Sequence, residues 1–346
     1  MLSRIAESFY WIGRYVERMD NTICLLDVMS LSARHGKAEA ENDWEPLILV
    51  SQGREFFDQF YDQINEQNTH DFLVFSLNNP GSVFSCLKAI RDNLRSVRNR
   101  VPNALWLVVN EFYLSFKRKK PHQVLSYNRG PFYRQIREFC VSFHGTADGT
   151  LMHEEAWSFL HLGKSLERAI ETANILDLKC HLLTRTTSHD TIDRRQWHEL
   201  LQSVDALEAY YNTYLNRIEP EKAIELLFLH RHFPRSVRFC LQEIDHALRS
   251  LPTSMNASYH WLLKIKIRGL LSEFLTITSN DIIKKGLHEY LQTVLKQLLM
   301  VNDLLYKTFF GFAGSLDILL PEPQPEVLHS LSAKRIDHVY SSSPQS

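Results

Sequence analysis

Apolar residues recur at three- and four-residue spacing over most of this 346-residue chain, and glycine and proline, 12 of each, seldom interrupt them. That spacing predicts helices throughout. It places them over Leu2–Ser32, Trp44–Ile64, Gly81–Arg100, Ala104–Phe116 and Phe132–Phe143. The apolar run Phe72–Leu77 is too short for its period to separate helix from strand, and its place before Pro80 suggests a helix end or a connector. Stretches around Gly36–Asn42, Lys117–Gly130 and Arg185–Asp193 are polar or turn-rich and read as loops. From Pro321 onward a Pro-Glu-Pro-Gln-Pro run and a serine-rich end lack core-forming content, which reads as a disordered tail over 321–346.

The same pattern occurs twice. Laying Ala6–Asp27 over Ala156–Asp177 gives nine identities in 22 positions: Ala6, Ser8, Phe9, Gly13, Glu17, Arg18, Thr22, Leu26 and Asp27. Further matches follow in order: Trp44 with Trp197, each expected to open a helix running to an aromatic pair (Phe56-Phe57, Tyr210-Tyr211), then Pro80-Gly-Ser-Val with Pro234-Arg-Ser-Val, Leu94-Arg-Ser with Leu248-Arg-Ser, and Trp106-Leu with Trp261-Leu. The offset drifts from 150 to 155, as small loop insertions would produce. The expected fold is all-α, a helical bundle built from a tandem duplication with pseudo-two-fold symmetry, its repeats spanning 1–150 and 151–320. In that arrangement the helices around Glu17 and Glu167 pack near each other. The alternative is two bundles side by side, hinged near 145–152.

Each half opens on one block, Phe9-x-x-x-Gly13-x-x-x-Glu17-Arg18 and Phe159-x-x-x-Gly163-x-x-x-Glu167-Arg168. At 3.6 residues per turn the Phe, Gly and Glu share one face. A glycine inside a helix costs about 1 kcal/mol against alanine, so its recurrence suggests close approach of another backbone or a ligand. Arg18 and Arg168 project roughly 100° away, with Arg14 and Lys164 one turn earlier. Two readings stay open. One is a pair of buried Glu–Arg ion pairs that set helix register. The other is a polar site in which Glu17 and Glu167 converge and Arg95 and Arg249, with Arg98 and Arg238 nearby, complete an anion-binding or acid/base cluster. His153-Glu154-Glu155 reads as the start of a helix, with carboxylates suited to its dipole; in the second reading His153 and Glu154 add to the site.

The segments Leu2-Ser-Arg-Ile-Ala-Glu-Ser-Phe-Tyr-Trp-Ile-Gly-Arg-Tyr-Val-Glu-Arg and His153-Glu-Glu-Ala-Trp-Ser-Phe-Leu-His-Leu-Gly-Lys-Ser-Leu-Glu-Arg-Ala closely resemble the two signature segments of the bacterial alpha-E domain family. The resemblance extends through Asn79-Pro80-Gly-Ser82, Pro234-Arg235-Ser236-Val237 and Phe139–Gly145 with Thr150, and covers essentially residues 1–310. The chain departs from the family pattern at Lys164, where arginine is usual, and at Ile170, where an acidic residue is usual. The resemblance implies uncharacterised helical proteins encoded beside, or fused to, a circularly permuted ATP-grasp ligase and a transglutaminase-like protein. It therefore implies a pathway that makes or modifies a peptide through ATP-dependent amide bonds. On that basis the expected role is an accessory or interaction component that binds the ligase or its peptide substrate. The alternative is an enzyme of the same pathway using the Glu–Arg pairs.

Composition narrows the chemistry further. Lys plus Arg, 39, nearly cancel Asp plus Glu, 40, so a global field suited to nucleic acid or an anionic membrane is not indicated. The charged N-terminus and the lack of a long apolar run point to a cytoplasmic protein. Five cysteines without a C-x-x-C pair read as reduced core thiols. No phosphate-binding glycine motif is present, so no nucleotide cofactor is expected. The one E-x-x-H spacing, Glu243 to His246, has no counterpart in the first half, and no metal is expected. The recurring tryptophans, Trp44 with Trp197 and Trp106 with Trp261, read as core.

Overall fold

Apolar spacing and local capping together delimit the elements. The computed structural model describes residues 3–32, 44–51, 53–122, 124, 129–183, 191–215, 217–252 and 257–311, and every regular element among them is helical. The first stripe forms α1, Ser3–Ser32, and buries Phe9, Ile12, Val16, Met19, Ile23 and Leu26 at three- and four-residue steps. The helix expected over Trp44–Ile64 is instead two, α2 (Glu45–Val50) and α3 (Arg54–Phe60). The break falls at Gly53, where a Cβ would sit 2.7 Å from the Phe72 ring, so the turn makes room for that buried aromatic. Next, α4 (Glu66–His70) runs into a wide π-type turn, Asp71–Phe75, closed by Ser76 N–H donating to the Asp71 carbonyl at 2.9 Å. This is the connector that the Phe72–Leu77 run implied.

The expected Gly81–Arg100 helix is shorter: α5 spans Val83–Ser96, followed by a tight turn at Arg98–Arg100. Ser82 caps it, its hydroxyl accepting from the Ser85 N–H at 3.1 Å, which leaves Pro80 and Gly81 outside. After α6 (Asn103–Lys117), α7 runs over Arg129–Thr150, well beyond the expected Phe132–Phe143, because Phe143 and Ala147 continue the buried stripe past Gly145.

The remaining elements are α8 (Glu155–Leu183), α9 (Thr191–Ser203), α10 (Leu207–Tyr214), α11 (Pro220–Ile224) leading into a second π-type turn at Glu225–Leu229, α12 (Val237–Ser250), α13 (Ala257–Thr276), α14 (Ser279–Lys284) and α15 (Leu287–Phe309). Ser236 caps α12 as Ser82 caps α5, accepting from the Phe239 N–H at 3.0 Å. Trp197 lies inside α9 and does not open it; the chain turns at Val204–Ala206, with Asp205 at φ 51°, before the Tyr210-Tyr211 pair.

The long helices α1 and α8 lie against one another, flanked by α5 on the α1 side and by α12 and α15 on the α8 side. Gly13 and Gly163 mark the crossing. A Cβ on Gly13 would overlap the Leu160 carbonyl oxygen, and one on Gly163 would overlap that of Tyr10, so each backbone occupies the space the other glycine leaves open. Residues Met1–Phe312 form one compact unit, and one continuous core joins Phe9 and Ile90 to Phe159, Ile244 and Leu298. No helix among the described residues is long and apolar enough to cross a membrane. Cys24, Cys86, Cys140 and Cys240 are free and buried. The expected loop over Gly36–Asn42 and the tail from Pro321 lie outside the described residues, as do parts of the loops at Lys117–Gly130 and Arg185–Asp193 and the Cys180 side chain.

Candidate functional site

One turn past the glycine crossing, the two Glu-Arg pairs exchange partners. Glu17 on α1 is held by Arg168 on α8, which donates from Nε to Oε1 at 2.6 Å and from Nη2 to Oε2 at 2.8 Å. Glu167 on α8 is held by two arginines of α1: Arg14 Nε donates to Oε2 and Arg18 Nε to Oε1, both at 2.6 Å. The helical period explains the exchange. Each glutamate faces the opposite helix on the Phe–Gly–Glu stripe, while the following arginine rides the rim and reaches across. Both carboxylates are closed to solvent, 0% exposed for Glu17 and 1% for Glu167, whereas the side chains of Arg18 and Arg168 keep 20% and 17% of their surface.

Electrostatics follow from that enclosure. Burial by itself would raise the Glu17 carboxyl, but Arg168 and then Arg235 outweigh it and bring the pKa down to about 2. Glu167 is likewise lowered, Arg14 and Arg18 overcoming its burial. Both carboxylates are therefore ionised near neutral pH. Glu171, one turn after Glu167 and half-buried, behaves oppositely: burial and the neighbouring Glu167 charge push it up to about 8.

The second cation on each carboxylate differs. Arg14 is 1% exposed, and its Nη1 also donates to Asn302 Oδ1 at 2.7 Å, a contact shared with the Tyr10 hydroxyl at 2.6 Å. Lys164, at the equivalent place before Glu167, makes no ion pair with Glu17 among the described residues; burial and then Arg168 lower its pKa. Arg235 takes that place, 3.6 Å from Glu17 Oε1, while donating to Asn21 Oδ1 at 2.6 Å and Asp20 Oδ2 at 2.7 Å. Beside Glu17 lies a polar edge. His144 Nε2 is 4.0 Å from Oε2, and Asp148 accepts from Trp157 Nε1 at 3.0 Å and pairs with His161 Nε2 at 2.9 Å. Burial, then the Lys164 charge, drops His144 to about 3; burial lowers His161 to about 4 against the pull of Asp148.

Several candidate residues lie elsewhere. Arg95 is exposed on α5, and Arg249 is exposed on α12, where it bonds Asp245. Neither reaches the glutamates, because both sit near the far ends of their helices. Arg98 and Arg238 likewise serve local backbone, bonding the carbonyls of Val101 and Leu229. His153 stacks on Trp157 at 4.5 Å on the exposed start of α8, and Glu154 is exposed beside it. Trp44 and Trp197 are core, but Trp261 is 64% exposed. Arg235, Asn302 and His144 went unforeseen. For Arg235 a signal existed: it replaces Gly81 in the aligned halves, just as Asp20 replaces Ile170, so an unmatched arginine and an unmatched aspartate were both visible. Asp20, Cys24 and Asp205 bring their ligand atoms within 4.8 Å of one another, but Arg235 holds Asp20 and Arg137 donates to Asp205 at 2.6 Å, which makes the group an ion-pair network.

The chain is 22% identical over 347 residues to uncharacterized proteins of Mycobacterium bovis and Mycobacterium tuberculosis, an overlap covering 94% of this chain and 39% of each relative. It thus spans about two-fifths of the length of these relatives. No solved structure matches it. Residues 1–310 match the model of the Alpha-E family, described as a predicted alpha-helical domain with a conserved ER motif, and the chain belongs to that family.

Proposed function

We propose that the two Glu-Arg pairs form a structural clasp and that the protein works as an accessory or interaction component of an ATP-grasp-linked peptide synthesis or modification system in the cytoplasm. The observation that supports the clasp is the enclosure of both glutamates, each ionised and matched by arginines of the opposite helix, and the ATP-grasp link rests on the family resemblance. An acid/base role for Glu17 and Glu167 has less support. A general acid or base works best with a pKa near the working pH and in reach of a substrate, and a closed carboxylate near 2 meets neither condition. The partner in this reading is the circularly permuted ATP-grasp protein, or its peptide, with a transglutaminase-like protein as a further component.

The clasp also supports a tandem duplication with pseudo-two-fold symmetry. Its helices cross glycine on glycine, α5 and α12 have 14 residues each, and each follows a π-type turn and a serine cap. If this is right, 1–150 and 151–346 expressed as separate chains should assemble together, since the clasp spans them. Failure to associate would count against it.

The functional test is titration of the full chain with the neighbouring ATP-grasp protein. A saturable complex, retained by the Glu17→Gln variant in proportion to its folded fraction, is the expected result. Absence of a complex, or a turnover lost in Glu17→Gln at unchanged melting temperature, would overturn the reading in favour of an enzyme.

A further inference from the structure

The helix α13 buries one side, with His260, Leu263, Ile267, Leu270 and Phe274 turned into the domain. Its opposite side is also apolar. Trp261 is 64% exposed, Leu262 43%, Ile265 47% and Leu275 68%. At 100° per residue, Trp261, Ile265 and Leu275 fall within one arc, with Leu262 at its margin and Gly269 and Ser272 between them. Trp261 to Leu275 spans about 21 Å at 1.5 Å per residue, the length of a three- to four-turn helix laid alongside. Trp261, Leu262 and Ile265 form a contiguous exposed apolar cluster, with Leu275 beyond exposed Arg268 and Ser272, and a contiguous apolar patch rimmed by polar residues is the mark of an interaction site.

The first half lacks this feature. Trp106, which aligns with Trp261, is half-buried beneath two guanidinium groups, Arg91 at 5.8 Å and Arg98 at 5.5 Å from its ring. On α6 only Leu107 and Leu114, two turns apart, are exposed large apolar side chains, without an exposed aromatic beside them.

Gly269 indicates what kind of surface is met. A mid-helix glycine costs about 1 kcal/mol against alanine. At Gly13 and Gly163 that cost is offset by the backbone packed against each; a Cβ on Gly269 would meet nothing within 4 Å. The glycines of α7, Gly145 and Gly149, are equally open but border a single exposed apolar side chain, Val141. Charge then selects the partner. Lys264 and Lys266 lie on the two margins of the stripe and Arg268 lies within it; none forms an ion pair among the described residues. A second copy of this chain would bring the same three cations face to face. A lipid surface would tolerate the cations but has no backbone to fit against Gly269.

We propose that the outer face of α13 docks an amphipathic helix of a partner protein, one whose apolar anchors sit over Trp261, Ile265 and Gly269 and whose flanks are acidic. This rests on the interaction reading above and names the surface it uses. The test measures binding of the neighbouring ATP-grasp protein to wild type, Trp261→Ala, Lys264→Glu/Lys266→Glu and, as control, Leu107→Ala. Trp261→Ala should weaken binding about tenfold or more, as loss of a central aromatic anchor does. The double charge reversal should weaken it several-fold and remove most of its salt dependence, and Leu107→Ala should bind as wild type. Trp261 and Leu107 are exposed and Lys264 and Lys266 half-buried at the stripe's margins, outside the core, and circular dichroism checks that each variant is folded. If every variant binds as wild type, the surface is wrong and the interaction reading stands. If wild type does not bind, both fall. Wild-type binding to vesicles of anionic phosphatidylglycerol that Trp261→Ala abolishes would replace the protein partner with a membrane and overturn the proposal.

Discussion

The two carboxylates of the clasp occupy similar settings but are neutralised by different routes. Glu167 takes both cations from a single helix, Arg14 and Arg18, and Arg14 is itself sealed, with Tyr10 and Asn302 as its other partners. Glu17 takes one arginine bidentately from α8 and borrows its second cation from the Pro234-Arg235 turn, beside a polar edge formed by His144, Asp148, His161 and Lys164. The comparison teaches where rigidity comes from. Arg14, on the same helix as Arg18, is held by Tyr10 and Asn302, whereas at the Lys164 end the second cation is a loop arginine, Arg235, itself held by Asn21 and Asp20.

The largest expected effect separates the two ends. Glu167→Ala strands Arg14 in the core without a counter-ion and should cost about 5 kcal/mol, at the upper end of losses for a broken buried pair. Glu17→Ala should cost about 3 kcal/mol, because Arg235 keeps Asp20 and Arg168 is partly exposed. Urea unfolding of both variants measures the gap; equal losses would erase the distinction. Gly163→Ala, which forces α1 and α8 apart, should cost about 2–3 kcal/mol as an overpacked contact, read in the same assay.

Acid titration sharpens the Glu17 end. With a folded pKa near 2 against an ordinary value of 4.5, Glu17 contributes stability fully present above pH 4.5 and lost as pH falls toward 2, about 3 kcal/mol in all. His144 adds to the same trend: its folded value near 3 lies below its ordinary 6.5, so its share is present above 6.5 and declines as pH falls toward 3. Melting temperature against pH for wild type and His144→Gln should show the decline begin at lower pH in the variant. Glu171 works in the other direction. Its raised pKa gives a contribution present below 4.5 that is lost as pH rises through about 8, on the order of 1 kcal/mol after allowing for its half-exposed position. Glu171→Gln should therefore be more stable than wild type at pH 9; an unchanged difference between pH 5 and pH 9 would remove the carboxyl from the account. The smallest expected effect is Lys164→Arg, within about 0.5 kcal/mol, since Arg235 already occupies the second place at Glu17.

Periodicity was enough to read the helices and to mark Gly13 and Gly163 as places of close approach, because a buried face must repeat every three or four residues and a mid-helix glycine needs a reason; that each meets the other helix's backbone came from the fold. Local breaks were harder. Gly53 divides a helix on account of Phe72, about 20 residues away, and the helix through Gly145 continues because Phe143 and Ala147 find partners across the core. Arg95 and Arg249 were placed in the site by their repetition alone, which carries no information on distance. Trp261 aligned with Trp106 and so read as core, although the arginines that cover Trp106 stand on a different helix.

The amino-acid sequence by itself determined that the chain is helical, that Phe, Gly and Glu share a face in each long opening helix, and that a Glu-Arg pair stands one turn after the glycine in both, since helical period and glycine cost act within a few residues of each other. Only the tertiary structure decided that each glutamate bonds the arginine of the opposite helix, that Arg235 completes one end and Arg14 the other, and that the carboxylates are closed to water. Those outcomes depend on which faces meet and at what distance, and ion pairing within a low-dielectric contact is set by that meeting of surfaces.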